Sequence, residues 1–231
     1  MNRPYVICHM TMSIDGKVTG DFLSRSECGD AVETYYRINR EYAADAYVCG
    51  RVTMEGSFTG GVAPVLDRYK GVKITREDYV ADAETGFYAV AFDTFGRLGW
   101  TDSKIEDEDP GYGGAHIIEV LSEAASDEYL AYLKDKKISY IFAGENKIDV
   151  ITALEKLKRL FGIEKLLLEG GSLINGSFQR IGVVDELSLV VAPVISGADG
   201  RILFDEGVFE SYKFEAANID KNGVISVKYK K

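Results

Sequence analysis

Leu166-Leu167-Leu168-Glu169-Gly170-Gly171-Ser172-Leu173-Ile174 is the stretch on which the reading of this chain turns. The three leucines have the length and apolarity of a buried strand. Leu173, Ile174, Phe178 and Ile181 then recur at helical spacing. A strand, an acid, two glycines and a helix start let a ligand approach the backbone closely and point free helix N–H groups at an anion. The same letters also describe a tight turn with no ligand, and taken alone the stretch leaves both readings open. No GxGxxG is present, so a Rossmann dinucleotide fold has no support.

Outward from this stretch, the chain alternates short apolar runs with amphipathic segments. Strands are expected at Tyr5–Met12, Ala46–Gly50, Tyr88–Asp93, His116–Leu121, Ile138–Ala143 and Val183–Val194. Helices are expected over Glu27–Ala44 with Ser26 as N-cap, from Gly50 through Ser57, over Ser126–Lys136, and over Asp149–Phe161 between an Asp149 cap and a Gly162 stop. Residues 79–83 suggest one further helical turn, and the acidic, glycine-rich segment 102–114 suggests a mobile loop. Lys213–Ile219 and Val224–Tyr229 flank Asn222-Gly223, a hairpin signal. The pattern predicts one α/β domain over residues 1–231, with a mostly parallel sheet and an antiparallel C-terminal hairpin.

Composition excludes several functions. A net charge of −10 opposes nucleic-acid binding, which needs a basic face. No apolar run reaches the length of a membrane span, and the N-terminus lacks a signal-peptide core. Three cysteines without a CxxC pair suit reduced thiols and a cytoplasmic location better than disulfides or zinc. Two histidines far apart offer no metal motif.

Three other strand ends carry chemistry-bearing residues. Gly50-Arg51-Val52-Thr53 offers a hydroxyl and a guanidinium for phosphate, and Asp93-Thr94-Phe95-Gly96-Arg97 repeats the pattern. Ser13-Ile14-Asp15-Gly16 places an acid after the first strand, where a type I or I′ turn is an equal reading. In open parallel sheets such ends share one edge, the edge that binds ligands. No Ser–His–Asp set and no GxxxxGK are present, so hydrolysis and phosphoryl transfer lack parts.

In this order, SIDGK at 13–17, GRVT at 50–53, FDTFGRL at 92–98, LLLEGGSLINGSF at 166–178 and VDELSLVVAPVISG at 184–197 resemble the dihydrofolate-reductase-like superfamily. Within it they resemble the pyrimidine reductase domain of riboflavin biosynthesis, often fused to a deaminase. The resemblance implies a three-layer α/β/α fold, a homodimer, and NADPH-dependent reduction of a ribosylamino to a ribitylamino group. It implies cofactor contacts at Gly50, Arg51, Thr53, Ser57, Thr94, Gly170, Gly171, Ser172, Leu173 and Ile174, within a run that extends to Ser177. Arg51 is the candidate for the 2′-phosphate. Ser13, Asp15 and Glu169 are implied near the substrate, with Asp15 and Glu169 as candidate catalytic groups. The family's DDPxLTxR segment is missing after Thr53, where the chain reads MEGSFTGGVAP, and a substrate-binding arginine is replaced by Glu41 beside Arg40. The HxE and PCxxC of the deaminase half are also missing. The alternatives are a reductase of a pterin, folate or other imine, and a non-catalytic NADPH-binding module.

Overall fold

The computed structural model describes residues 2–81, 85–198 and 200–231. In chain order the strands are β1 (Tyr5–Ser13), β2 (Ala46–Gly50), β3 (Tyr88–Phe92), β4 (His116–Leu121), β5 (Ser139–Phe142), β6 (Lys165–Leu168), β7 (Glu186–Ala192), β8 (Lys213–Ile219) and β9 (Ile225–Lys230). The helices are α1 (Gly29–Tyr42), α2 (Arg51–Met54), α3 (Asp127–Asp135), α4 (Val150–Phe161) and α5 (Ser172–Arg180). The chain divides into two compact units, Met1–Pro4 with Asp45–Glu164, and Tyr5–Ala44 with Lys165–Lys231. Among the described residues no helix is long and apolar enough to cross a membrane, and no group of three or more His, Cys, Asp or Glu side chains could hold a metal ion.

In the first unit the strands run β5-β4-β3-β2, all parallel. Parallel strands need crossover helices, which cover the faces, so both sides of each strand are buried. Val48, Val90, Ile118 and Ile141 are fully buried accordingly. The crossover α4 forms where its ends are chemically marked. The Asp149 carboxylate accepts from Thr152 N at 2.7 Å, and Gly162 ends the helix at φ +70°. Its Leu154 and Leu157 are fully buried, each contributing roughly 2 kcal/mol by removal from water. Ser126 likewise caps α3 through Tyr129 N.

The segment 102–114, expected as a mobile loop, is a chain of tight turns. Asp102, Asp107 and Asp109 accept backbone N–H bonds from the residues one or two positions on. Tyr112 is buried edge-on against Tyr47 at 5.0 Å. Of the helical turn expected at 79–83, Tyr79 instead bridges Tyr140, and residues 82 and 83 lie outside the described residues.

In the second unit the order is β6-β1-β7-β9-β8, with β6, β1 and β7 parallel and β9 and β8 antiparallel to their neighbours. Three expectations change here. Ser26 does not cap α1: its hydroxyl donates to Glu27, and the helix starts at Gly29 after a short 3-10 turn. The strand expected over Val183–Val194 is the shorter β7, paired on both sides by β1 and β9. The outer strand is β8, exposed along its length. The buried face of α5 includes Ser172, Asn175, Gly176 and Gln179, whereas Leu173 and Ile181 are exposed, because segment 201–208 covers the helix.

Candidate active site

In the first unit the strand ends stand level. Gly50 lies opposite Phe92, and Phe92 opposite Val120, so the residues that follow line one carboxyl edge. Arg51 and Thr53 leave β2 in α2, and the chain continues as a wider π-type turn carrying Ser57, which is exposed. The Arg51 guanidinium is half-buried and pairs with Glu55, one turn on, at 2.7 Å. A carboxylate there offsets part of the positive charge a phosphate would meet.

The turn after β3 is built by Asp93, whose carboxylate accepts from the N–H groups of Arg97 and of Leu98, the latter at 2.9 Å. Gly96 takes φ +70°, and a Cβ there would overlap the Tyr129 ring at 2.1 Å. Thr94 is half-buried, and its carbonyl accepts from Ser122 N at 3.0 Å and Ser122 Oγ at 2.7 Å. Beneath the turn Glu119 is fully buried and accepts from Trp100 Nε1. Burial, with Asp93 nearby, raises its carboxyl well above the usual range. Burial likewise raises Asp93, opposed by its two N–H donors and by Arg51 and Arg97. Reading the sequence missed Glu119 and Ser122. The signal for Glu119 was an acid inside the apolar run HIIEVL.

In the second unit, Cys8 on β1 pairs with Leu168 on β6, and Glu169 follows immediately. Glu169 is buried, and its Oε1 accepts from Asn39 Nδ2 on α1 at 2.8 Å. Burial and then the Glu169 charge push the Cys8 thiol far up, which removes it as a nucleophile. Gly170 has φ +97° and is joined to Gly171 by a cis peptide bond. A Cβ on Gly170 would sit 3.1 Å from the Met10 methyl, so the strand end is backbone-lined. Gly171 is the extended N-cap of α5 and provides no side-chain cap. That leaves first-turn N–H groups for a ligand, and the residues fit an anionic cofactor group. Ser172 donates its hydroxyl to the Ile202 carbonyl and is buried, so its contribution to such a group is its N–H. Ile174 is buried and Leu173 exposed.

The turn after β1 is type I rather than I′, because only Gly16 takes positive φ. Ser13 is buried and accepts Lys17 N at 3.0 Å. The exposed Asp15 carboxylate accepts from Ser196 N at 2.9 Å and Gly197 N at 3.1 Å. The Ser13 hydroxyl first, and these N–H groups next, hold Asp15 down at about 2. At neutral pH it is therefore a fixed anion and a poor proton source. Glu41 pairs with Arg37 along α1, and Arg40 reaches Glu33 at 3.3 Å.

The RibD C-terminal domain family model matches residues 113–226. The 2,5-diamino-6-ribosylamino-4(3H)-pyrimidinone 5′-phosphate reductase of Methanothermobacter thermautotrophicus is 31% identical over 211 residues, covering 90% of this chain and 87% of the relative. Its namesake from Archaeoglobus fulgidus is 25% identical over 88% of this chain and 87% of its own. Among solved structures, a pyrimidine reductase-like protein from Corynebacterium diphtheriae superposes with a TM-score of 0.68 at 20% identity, covering 99% of this chain and 92% of that one. Acinetobacter baumannii RibD gives 0.67 at 19% identity, covering 100% of this chain and 58% of the longer protein. The fold is thus the mixed α/β fold of these reductases. At 31% identity across nine-tenths of its length, the chain belongs to the riboflavin-biosynthesis reductases that carry the RibD C-terminal domain.

Proposed function

We propose that this chain is an NADPH-dependent reductase converting the ribosylamino group of a pyrimidine 5′-phosphate to a ribitylamino group. The observation that carries this reading is the end of β6. There a buried carboxylate, held by an amide, is followed by two glycines and an uncapped helix start. The names of the relatives support the substrate class.

In the second unit, the N–H groups at Gly171–Ile174 would hold the cofactor pyrophosphate, with Gly170 leaving room for it. In the first unit, Arg51, Thr53, Ser57 and Thr94, beside Gly50, form a strand-end edge proposed to take a cofactor phosphate. NADPH, when bound, supplies a hydride, and the acceptor is C1′ of the ring-opened iminium form of the sugar amine. Opening the ring breaks the C1′–O4′ bond, and O4′ takes up a proton. The hydride then converts the iminium to the secondary amine, so the balance is one hydride and one proton. An ionised Glu169 carboxylate would suit the positive charge of the iminium. Ser13 and Asp15 shape the loop that faces substrate, with Asp15 acting as a fixed acceptor.

The test is oxidation of NADPH by the purified chain with the diaminopyrimidinone ribosylamine phosphate, the aminouracil counterpart and dihydrofolate supplied separately. Turnover with either ribosylamine phosphate supports the reading. Turnover with dihydrofolate alone, inhibited by nanomolar methotrexate, replaces it with a folate reductase, and tight NADPH binding without any turnover replaces it with a binding module. The chain is further proposed to work as a homodimer, to be checked by sedimentation equilibrium.

A further inference from the structure

Asn39 lies in the last turn of α1, buried, and donates 2.8 Å to Glu169 across 130 residues of sequence. Nδ2 can only donate, so the bond requires Oε1 to accept. One turn earlier the helix is clamped. The buried His9 ring on β1 stacks on Tyr35 with centroids 4.4 Å apart and 2° between planes. Its Nε2 is 3.0 Å from the Tyr35 carbonyl. On its other side Nδ1 lies 3.0 Å from the Ser188 hydroxyl and 3.2 Å from the Ser188 carbonyl, so the ring is bonded at both nitrogens. His9 and Ser188 are directly opposite each other on β1 and β7. The same strand β1 also sets Glu169, because Cys8, the neighbour of His9, is in register with Leu168. Both ends of the Asn39–Glu169 bond are therefore referenced to residues 8 and 9. A one-residue slip of α1 would move Asn39 about 1.5 Å along the axis and rotate it roughly 100°, off the carboxylate.

We propose that Asn39 is a positioning residue that holds the Glu169 carboxylate in one orientation toward the substrate, with the His9–Tyr35 contact setting the helix register that brings it there. The proposal rests on the reading of Glu169 as the substrate-facing acid. Asn39 itself touches no reacting atom: it fixes Oε1 and so limits the rotation of the carboxylate. Burial of both side chains makes the loss of this donor costly.

The experiment measures kcat and KM with the ribosylaminopyrimidine phosphate between pH 5.5 and 9, and NADPH affinity by fluorescence. It uses wild type, Glu169→Gln, Asn39→Leu, Asn39→Asp and the double variant Asn39→Asp/Glu169→Gln. Asn39→Leu is expected to lower kcat/KM by about tenfold or more with NADPH affinity within about twofold of wild type. In Asn39→Asp two carboxylates face each other at hydrogen-bond distance and cannot both ionise readily. They share a proton at low pH, so kcat/KM should fall as pH rises through the upper ionisation of the pair, where wild type shows no such limb. The double variant restores a donor and an acceptor and should lose that pH limb. Wild-type kcat/KM and pH profile in both Asn39→Leu and Asn39→Asp, with Glu169→Gln impaired, overturn the positioning role alone. An unimpaired Glu169→Gln overturns the underlying reading and the positioning role with it. If Asn39→Leu does not fold, the near-isosteric Asn39→Asp decides the matter by its pH profile.

Discussion

Gly176 and Asp205 are in backbone contact so close that a Cβ on the glycine would lie 1.9 Å from the Asp205 carbonyl oxygen. Around this point Asp205 N bonds the Ser172 carbonyl at 3.1 Å, and Arg180 donates to the Asp205 carbonyl at 3.0 Å. The glycine is therefore set by the approach of a second backbone, not by its own conformation. Gly176→Ala should destabilise the chain by about 2 kcal/mol or more, because the obstruction is main chain and cannot rotate away. A thermal melt should show Tm lower by roughly 4–8 °C. An unchanged Tm would mean that 201–208 is not held against α5.

The two histidines predict an acid-side loss of stability. Burial holds His9 at about 4, with Lys228 adding to the effect and its two hydrogen bonds opposing it. Burial, with Lys104, holds His116 at about 4 as well, beside Ser139. In the unfolded chain each titrates near 6.5, so between pH 6.5 and 4 the unfolded state binds more protons. Stability from neutral burial is then full above about 6.5 and is lost as pH falls toward 4, by on the order of 3 kcal/mol for His9. Urea melts across that range should give a shallower slope for His9→Gln than for wild type. Equal slopes would remove His9 as a source of the acid lability.

Glu119 makes the opposite prediction. A carboxyl raised by burial keeps its proton when folded and releases it when unfolded. Its contribution is therefore present below the ordinary carboxylate pKa and declines as pH rises toward the folded value. Glu119→Gln keeps an oxygen for Trp100 Nε1 and has no proton to lose, so its stability relative to wild type should improve from pH 5 to pH 8. A difference that stays flat with pH would show that Glu119 is ionised in the fold.

Arg51 and Glu55 should pull cofactor affinity in opposite directions. Arg51→Ala is expected to weaken NADPH about tenfold while leaving NADH unchanged, as removal of a charged hydrogen bond to the 2′-phosphate would. Glu55→Gln releases the guanidinium from its partner and should tighten NADPH by about twofold to fivefold. Titration of both cofactors checks both variants, and equal losses for NADPH and NADH would move the 2′-phosphate elsewhere.

What was legible before the structure was local. The β6–Glu169–Gly170–Gly171–α5 passage, the Asp149 and Gly162 ends of α4, and the hairpin around Asn222-Gly223 rest on neighbours within a few residues. The grouping of Arg51 and Thr94 on one edge was legible for the same reason, since a parallel sheet places its strand ends together. What was missed depends on distant partners. Asn39 reads as one more polar residue on a polar helix, and only the fold brings it to Glu169. Val183–Val194 reads as a strand, but its composition does not reveal that β1 and β9 pair with it on both sides. The Ser26 hydroxyl donates to the adjacent Glu27 carboxylate instead of accepting from a helix N–H, and α1 starts at Gly29.

The Gln179 side chain bonds residue 208 from both ends of its amide: Nε2 donates to the Val208 carbonyl and Oε1 accepts from Val208 N, each at 2.8 Å. A glutamine so placed does the work of a neighbouring β-strand. Segment 201–208 has no strand ladder of its own with α5, and it is attached there by side chains of Ser172, Asn175, Gln179 and Arg180 and by the Asp205 N bond to the Ser172 carbonyl. Releasing the segment therefore breaks bonds spread over two turns of the helix at once, which makes its detachment all-or-none. In hydrogen exchange, the amides of Asp205 and Val208 should report one shared opening event that also exposes the buried face of α5, so the helix proposed to seat the pyrophosphate and the strap behind it would loosen as a single cooperative unit.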